Sequence, residues 1–371
     1  MYSENDVEAA VAAGVLSPVQ AAAFRDFVAA GRPMPAADEE HFRLLTGFND
    51  IFVGIAALIL LFAVAWIGQY IPPRIGYDGP SVLGGLFVAA TAWGLAEFFT
   101  RQRRMALPSI ILLLAFLTGI FTSTGIALTL LIGESNIFGA WQVFMIISAS
   151  AAVTVAAAWA HWRRFKVPIT IAAGAAALAA FVMGLVAVAV VGNGGKMSQA
   201  DEDYIHLVLE ITALVIGVGT FLFAMWWDAS DRRRQTRRSD VAFWLHLLAA
   251  PLIVHPVFWL LGLTEGAAST LDGFIVILLY VAMGVVALAI DRRALLVSAL
   301  AYVLYAINML FREYGAVELS VALTALVIGS ALLLLSAFWP NARRAVVALL
   351  PDGLQARLPL LDRPATRVVP A

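Results

Sequence analysis

Apolar runs, each long enough to cross a bilayer, fill the chain from Ile51 to Trp339, and arginine-rich turns punctuate every second one. A hydrocarbon core of about 30 Å needs roughly 20 helical residues at about 1.5 Å each, and stretches such as IFVGIAALILLFAVAWIGQY meet that length. The pattern predicts an all-α, polytopic transmembrane bundle of about ten spans. In the first half they run Ile51 to Tyr70, Val82 to Thr100, Leu107 to Ile132, Phe138 to Trp159 and Val167 to Val191. In the second half they run Tyr204 to Trp227, Val241 to Leu263, Gly273 to Ile290, Ala294 to Phe311 and Val317 to Trp339.

Residues 1–48 read differently. Val7, Ala10 and Val11 fall on one side of a helical period before Gly14 to Pro18, where Ser17 suits an N-cap and Pro18 the first position of a second helix through Phe24, Phe27 and Val28. Gly31-Arg-Pro33 stops that helix, and the amphipathic stretch DEEHFRLLTGFND leads into the membrane. The segment reads as a small cytoplasmic helical hairpin or as a loosely structured tail, because so little apolar area cannot hold a core alone. Residues 49–340 form the transmembrane domain and 341–371 a cytoplasmic tail, whose mixture of arginine and leucine suits either the membrane interface or disorder beyond Leu361.

Charge distribution sets the expected orientation. Arg101, Arg103 and Arg104 follow the second span, Arg163, Arg164 and Lys166 the fourth, Arg232 to Arg234 with Arg237 and Arg238 the sixth, Arg292 and Arg293 the eighth, and Arg343 and Arg344 the last. Opposite loops hold only Arg74, Lys196 and Arg312, so both termini are expected in the cytoplasm; an odd number of spans would break the alternation. Trp66, Tyr70, Trp159, Trp162, Trp226, Trp227 and Trp339 at span ends suit an interfacial aromatic belt.

Composition agrees: 62% of residues are hydrophobic and 13% charged, with a mean hydropathy of +0.89, which a soluble fold could not bury. The net charge of -1, from 24 basic and 25 acidic residues, carries no signature of a nucleic-acid partner, and membrane lipid is the partner expected. Cysteine is absent, which removes disulfides, thiolate metal sites and thiol nucleophiles. The acidic start MYSENDVEAA, with no short apolar segment and cleavage site after it, predicts no cleaved signal peptide. No catalytic, metal, cofactor or nucleotide motif is present, and no pattern encodes an oligomeric state.

Even-numbered spans end in an arginine pair and the next begins almost at once, as in RRMALPS, RRFKVPI and DRRALLVS. The unit reads as an outward-pointing helical hairpin used about five times, although the positive-inside bias alone produces part of this signal. The hairpin with AAGVLSPVQAAAF, the lead-in FRLLTGFNDIFV and the arginine-ended repeats together resemble the bacterial multi-pass proteins grouped as domain of unknown function 2157. That resemblance implies an inner-membrane protein of unassigned activity and supplies no site residues.

Ionisable groups inside a bilayer are costly, so they are the first candidates. Glu210 lies about 9 Å inside the outer end of the sixth span, with His206 one turn above it on the same face. It suits either a proton carrier or a glutamate that packs against a helix or snorkels outward. The seventh span, WLHLLAAPLIVHPVFWLL, carries His246, Pro251, His255 and Pro256; the prolines predict a kink and free carbonyls near Leu247 and Leu252. His255 falls at nearly the depth of Glu210, so the two are expected to pair across a cavity, or else to belong to a kinked structural helix.

Thr118, Gly119, Thr122, Ser123, Thr124 and Gly125 interrupt the third span, as an unwound substrate-lining segment or as a close-packing face. Ser148, Ser150, Gly217 and Gly219 belong to the same packing argument. Tyr302, Tyr305, Asn308 and Arg312 form a polar stripe on the ninth span, lining a vestibule or an ordinary interface, and Glu97 is placed to pair with Arg101 one turn away.

Three classes of function follow. A non-enzymatic membrane protein, in its most concrete form a small-solute or proton-coupled transporter, leads. A scaffold or sensor presenting the N-terminal hairpin to a protein partner is second. A lipid-modifying enzyme, with only Asp203, His206 and Glu210 to assemble, is last.

Overall fold

The computed structural model describes residues 10–11, 13–31, 48–133, 139–192, 199–232, 234, 236–263, 270–293, 295–296, 300, 303–304, 307–308, 320–359 and 361. It is all-helical, with an isolated bridge between Arg74 and Ser81 the one piece of extended pairing among the described residues. Two compact units separate along the chain, Met1–Glu39 with Arg363–Ala371, and Glu40–Asp362.

In the first unit, α1 spans Pro18–Gly31. The Ser17 hydroxyl accepts from the Gln20 N–H at 3.1 Å, and the Gln20 side chain accepts from the Ser17 N–H at 2.9 Å, a reciprocal capping box that fixes where the helix begins. Ala10 and Val11 are helical; Val7 and the lead-in before Phe48 lie outside the described residues.

The second unit holds the membrane helices. They are α2 (Phe48–Gln69), α3 (Val82–Ala96), α4 (Ala106–Ile132), α5 (Ala140–Phe165), α6 (Ile169–Val191), α7 (Gln199–Ser230), α8 (Arg237–Leu260) and α9 (Thr270–Ile290). α3 continues into a π-helical turn, Glu97–Gln102. Among the described residues, eight helices are long and apolar enough to span, α3 counted together with its π turn; α10 (Ser320–Ala337) and α11 (Trp339–Ala348), bent by 74° at Phe338, make a ninth if taken as one. The expected ninth span, Ala294 to Phe311, falls partly outside the described residues, where Leu295, Leu296, Leu300, Val303, Leu304, Ile307 and Asn308 are helical.

The closest-packed pairs are α3 with α4, α5 with α6 and α7 with α8. Each pair is joined by an arginine-rich turn, so the hairpin unit opens away from those turns rather than being closed by the outer loops. The reason is covalent: these turns are short and hold the paired helices side by side. The first three carry a non-glycine residue in the left-handed region, Arg104, Lys166 and Arg234, and Asp291 repeats this after α9. Beyond chain neighbours, α2 meets α4, α4 meets α6, and α6 meets α8, which makes the even-numbered helices a continuous row.

Small residues set the close approaches. α4 is one unbroken helix, contrary to an interrupted third span, because Thr122 and Thr124 hydroxyls bond back to the Thr118 and Ile120 carbonyls at 2.9 and 2.8 Å. A Cβ on Gly119 would lie 2.5 Å from the Gly85 carbonyl oxygen, so the α3–α4 crossing depends on glycine there. Ser123 donates across to the Val82 carbonyl at 2.9 Å, and Ser148 on α5 to the Phe181 carbonyl on α6 at 3.0 Å. Such interhelical bonds replace the hydrophobic drive that lipid cannot supply.

The chain from Trp339 to Leu358 packs against the membrane helices. α11 and the short α12 (Asp352–Gln355) fold back, burying Val347 and Leu358 with Ala287, Leu288 and Ile290 of α9. Trp339, expected as a belt anchor, is 2% exposed, whereas Trp66, Trp159 and Trp226 are well exposed.

Candidate functional site

The site is built on the α7–α8 hairpin. α8 runs as one helix through Pro251 and Pro256, and a proline at 256 has no N–H to offer the Leu252 carbonyl. Gly217 of α7 packs against that freed backbone: a Cβ on it would lie 2.7 Å from both the carbon and oxygen of Leu252. Glycine therefore lets α7 approach the proline segment, while Gly219, with open space at its Cβ position, contributes nothing to the contact.

Two turns beyond Gly217, about 10 Å along α7, this register brings Glu210 and His255 together. His255 Nε2 lies 3.4 Å from Glu210 Oε1, with the glutamate side chain 16% and the histidine 52% exposed. Glu210 Oε2 is buried without a hydrogen-bond partner. The carboxylate is thus covered by the hairpin, and the imidazole opens to the bundle surface.

Within such a pair, one proton shared between carboxylate and imidazole keeps the total charge at zero, whichever group holds it. A second proton, or none, leaves a net charge in a low-dielectric setting, where a lone charge is expensive. The arrangement places an acid and a base within ion-pair distance on two facing helices.

Near the opposite end of the same two helices lies a second cluster, about 27 Å from Glu210 along α7. Asp228 is 2% exposed, Arg292 1% and His246 fully buried. Arg292 Nε donates to Asp228 Oδ2 at 3.1 Å and its Nη2 to Oδ1; that Nη2 also donates to the Ser239 carbonyl and hydroxyl at 3.0 and 3.1 Å. His246 Nε2 approaches Asp228 Oδ2 at 3.0 Å. One arginine from the turn after α9 thereby ties the end of α7 to the start of α8.

Asp291 organises a third cluster at the arginine-bearing end. Arg234 Nη1 donates to its Oδ2 at 2.8 Å and Trp339 Nε1 to its Oδ1 at 2.8 Å, with Arg343 Nε 3.7 Å from Oδ1. Burial alone would push the Asp291 carboxyl up, but Arg234, Arg343, the Trp339 hydrogen bond and Arg292 together hold it below the usual carboxylate range. Arg343 also donates to the Pro359 carbonyl at 2.8 Å and Arg232 to that of Leu358 at 2.9 Å, which fastens the folded-back tail.

Of the residues singled out from sequence, Glu210 and His255 meet. His206 is exposed, one helical turn from Glu210 on α7. Thr122 lines a cavity of about 450 Å³ with Gln69 and Ser150, and Thr124 does not. Asn308 is half-buried on the helical residues after α9; Tyr302, Tyr305 and Arg312 lie outside the described residues. Glu97 does pair with Arg101 at 3.2 Å, and also takes a bidentate contact from Arg164 of α5 at 2.6 and 2.9 Å.

Sequence reading missed Asp228 and Arg292. Asp228 interrupts the run that ends α7, a usable signal, but Arg292 had been assigned wholly to loop charge. Also missed was His161, which is buried, 3.2 Å from the Thr170 hydroxyl and packed among Trp93, Phe116 and Phe165. No group of three His, Asp or Glu among the described residues is placed to hold a metal ion. The chain matches no protein-family profile, no curated protein and no solved structure.

Proposed function

We propose that this integral membrane protein is a small-solute or proton-coupled transporter of a bacterial inner membrane, with Glu210 and His255 as its proton-binding pair. The observation that carries the reading is the 3.4 Å approach of His255 to a glutamate whose other oxygen is buried and unpartnered. A carboxylate beside an imidazole within the membrane span is the kind of pair on which a proton or a charged solute can be exchanged, and that exchange is the elementary step of coupling. The proline-bearing α8, against which α7 packs closely at Gly217, supplies freed backbone near the pair. The inner-membrane assignment draws on the resemblance to the domain of unknown function 2157 proteins and on the arginine turns.

The test is a pH-jump current measurement on proteoliposomes. Wild type is expected to give a transient proton current that Glu210→Gln abolishes and His255→Ala reduces. Equal currents from all three, or none from wild type across solutes of different charge, would remove the proposal.

A scaffold role has one observation in its favour: the capped helix α1 belongs to a compact unit separate from the membrane helices. Deleting residues 1–45 should leave proton currents intact and abolish only capture of a protein partner. The lipid-modifying reading gains nothing, since His206 and Asp203 are exposed and no group of three His, Asp or Glu among the described residues is placed to hold a metal ion.

A further inference from the structure

At the arginine-bearing end, a cavity of about 350 Å³ opens where three hairpins meet. Its chemistry is unlike that of the membrane interior. Arg104, Lys166 and Arg237 line it, against a single carboxylate, Asp240, and two hydroxyls, Thr100 and Ser109. Each basic residue comes from a different arginine turn, so the row of hairpins is what brings them together.

The backbone adds to this charge. Ala106, Ile169 and Arg237, the first residues of α4, α6 and α8, also line the cavity, as do Met105 and Pro168 at the N-cap positions of α4 and α6. Three helix N-termini therefore converge, each carrying roughly half a positive charge on its unbonded N–H groups. Those of α4 and α6 have no side-chain cap of the kind Thr236 gives α8, although the Ser109, Thr170 and Ile171 N–H groups bond to the Met105, Val167 and Pro168 carbonyls.

One further observation points to a ligand. Thr100 is 8% exposed and its Oγ1 is buried with no hydrogen-bond partner, although it lines the cavity. It stands in the π-helical turn Glu97–Gln102, a distortion that recurs at functional sites. Arg104 and Lys166 hold left-handed backbone, with φ of 53° and 55°, as Arg234 and Asp291 do at turns outside the cavity lining, so the conformation belongs to the turns and not to the cavity.

We propose that this cavity binds a phosphate-bearing anion, either the headgroup of an anionic phospholipid or a free phosphate compound. Uncapped helix N-termini and convergent cations are the features that phosphate oxygens satisfy, and the volume accommodates a headgroup rather than an acyl chain. The inference is independent of the proton-binding pair on the outer part of α7 and α8.

The experiment titrates the detergent-purified full chain with short-chain phosphatidylglycerol, short-chain phosphatidylcholine and inorganic phosphate, and reads bound ligand by native mass spectrometry. Phosphatidylglycerol is expected to bind well ahead of phosphatidylcholine. The triple variant Arg104→Asn, Lys166→Asn, Arg237→Gln should weaken it on the order of a hundredfold, from about fivefold per basic residue. Asparagine tolerates the left-handed backbone, and Lys166→Asn or Arg237→Gln alone, each expected to cost about fivefold, serves if the triple variant does not fold.

The control removes the same charge from the same turns outside the cavity lining, with Arg103→Gln, Arg163→Gln and Arg238→Gln, and should lose far less. Inorganic phosphate binding as tightly as phosphatidylglycerol would assign the site to a free phosphate compound; much weaker binding would assign it to lipid. Equal binding of the two lipids, or equal losses in the cavity and control variants, would overturn the proposal.

Discussion

Replacing Arg292 with methionine removes the partner of a carboxylate that has no access to water. Asp228 is 2% exposed and receives two Arg292 bonds, leaving His246 Nε2 at 3.0 Å as its remaining polar contact. Two unit charges about 4 Å apart at an effective dielectric near 20 attract by about 4 kcal/mol, and removing one member of a buried pair costs about 3–5 kcal/mol. The Ser239 carbonyl and hydroxyl lose a donor as well. Arg292→Met should therefore destabilise the protein by about 3–5 kcal/mol.

Removing both charges should cost less than removing one. In Asp228→Leu, Arg292→Met no charge is stranded, and the main penalty is the unbonded His246 Nε2, worth about 1–3 kcal/mol. Thermal unfolding in detergent micelles, followed by tryptophan fluorescence, would rank wild type first, the double variant second and Arg292→Met last. The reasoning is refuted if Arg292→Met melts with wild type, or if the double variant melts below it.

Other consequences follow from contacts already described. Gly217→Ala should destabilise the α7–α8 hairpin by about 1–3 kcal/mol, because its Cβ would meet the Leu252 carbonyl at 2.7 Å. Gly219→Ala, with open space, should be neutral or stabilising by up to about 1 kcal/mol, and the two melting temperatures decide the matter. The folded-state value of Asp291 lies below its unfolded value, so its contribution is present at neutral pH and is lost as pH falls through the folded value; Asp291→Asn should flatten the acid limb of a Tm-against-pH curve. Glu97→Gln should produce no resolvable shift in Tm, since the Arg101 and Arg164 contacts lie at an exposed turn screened by water and salt.

The helical architecture was legible because span length and hydropathy are properties of contiguous sequence. So was the Ser17 and Gln20 capping box, a local motif. The Glu210–His255 approach was legible from depth alone, since two antiparallel helices joined by a short turn put residues equally far from it at the same level. What depth could not give was azimuth, and His255 proves half exposed at the bundle surface rather than lining an enclosed cavity. The Asp228–Arg292 pair was illegible because its members are 64 residues apart and Arg292 looked like one more loop cation. The run from Thr118 to Gly125 left two readings open in sequence, an unwound segment or a close-packing face, and the structure takes the second, its hydroxyls bonding within the helix or across to a neighbour.

Infrared difference spectroscopy across a pH step, on the purified protein in lipid, tests most directly whether Glu210 exchanges a proton. Wild type should show a carbonyl band of a protonated carboxylic acid that appears as pH is lowered, disappears in Glu210→Gln and shifts in His255→Ala. Wild-type and Glu210→Gln difference spectra that superimpose would contradict the account.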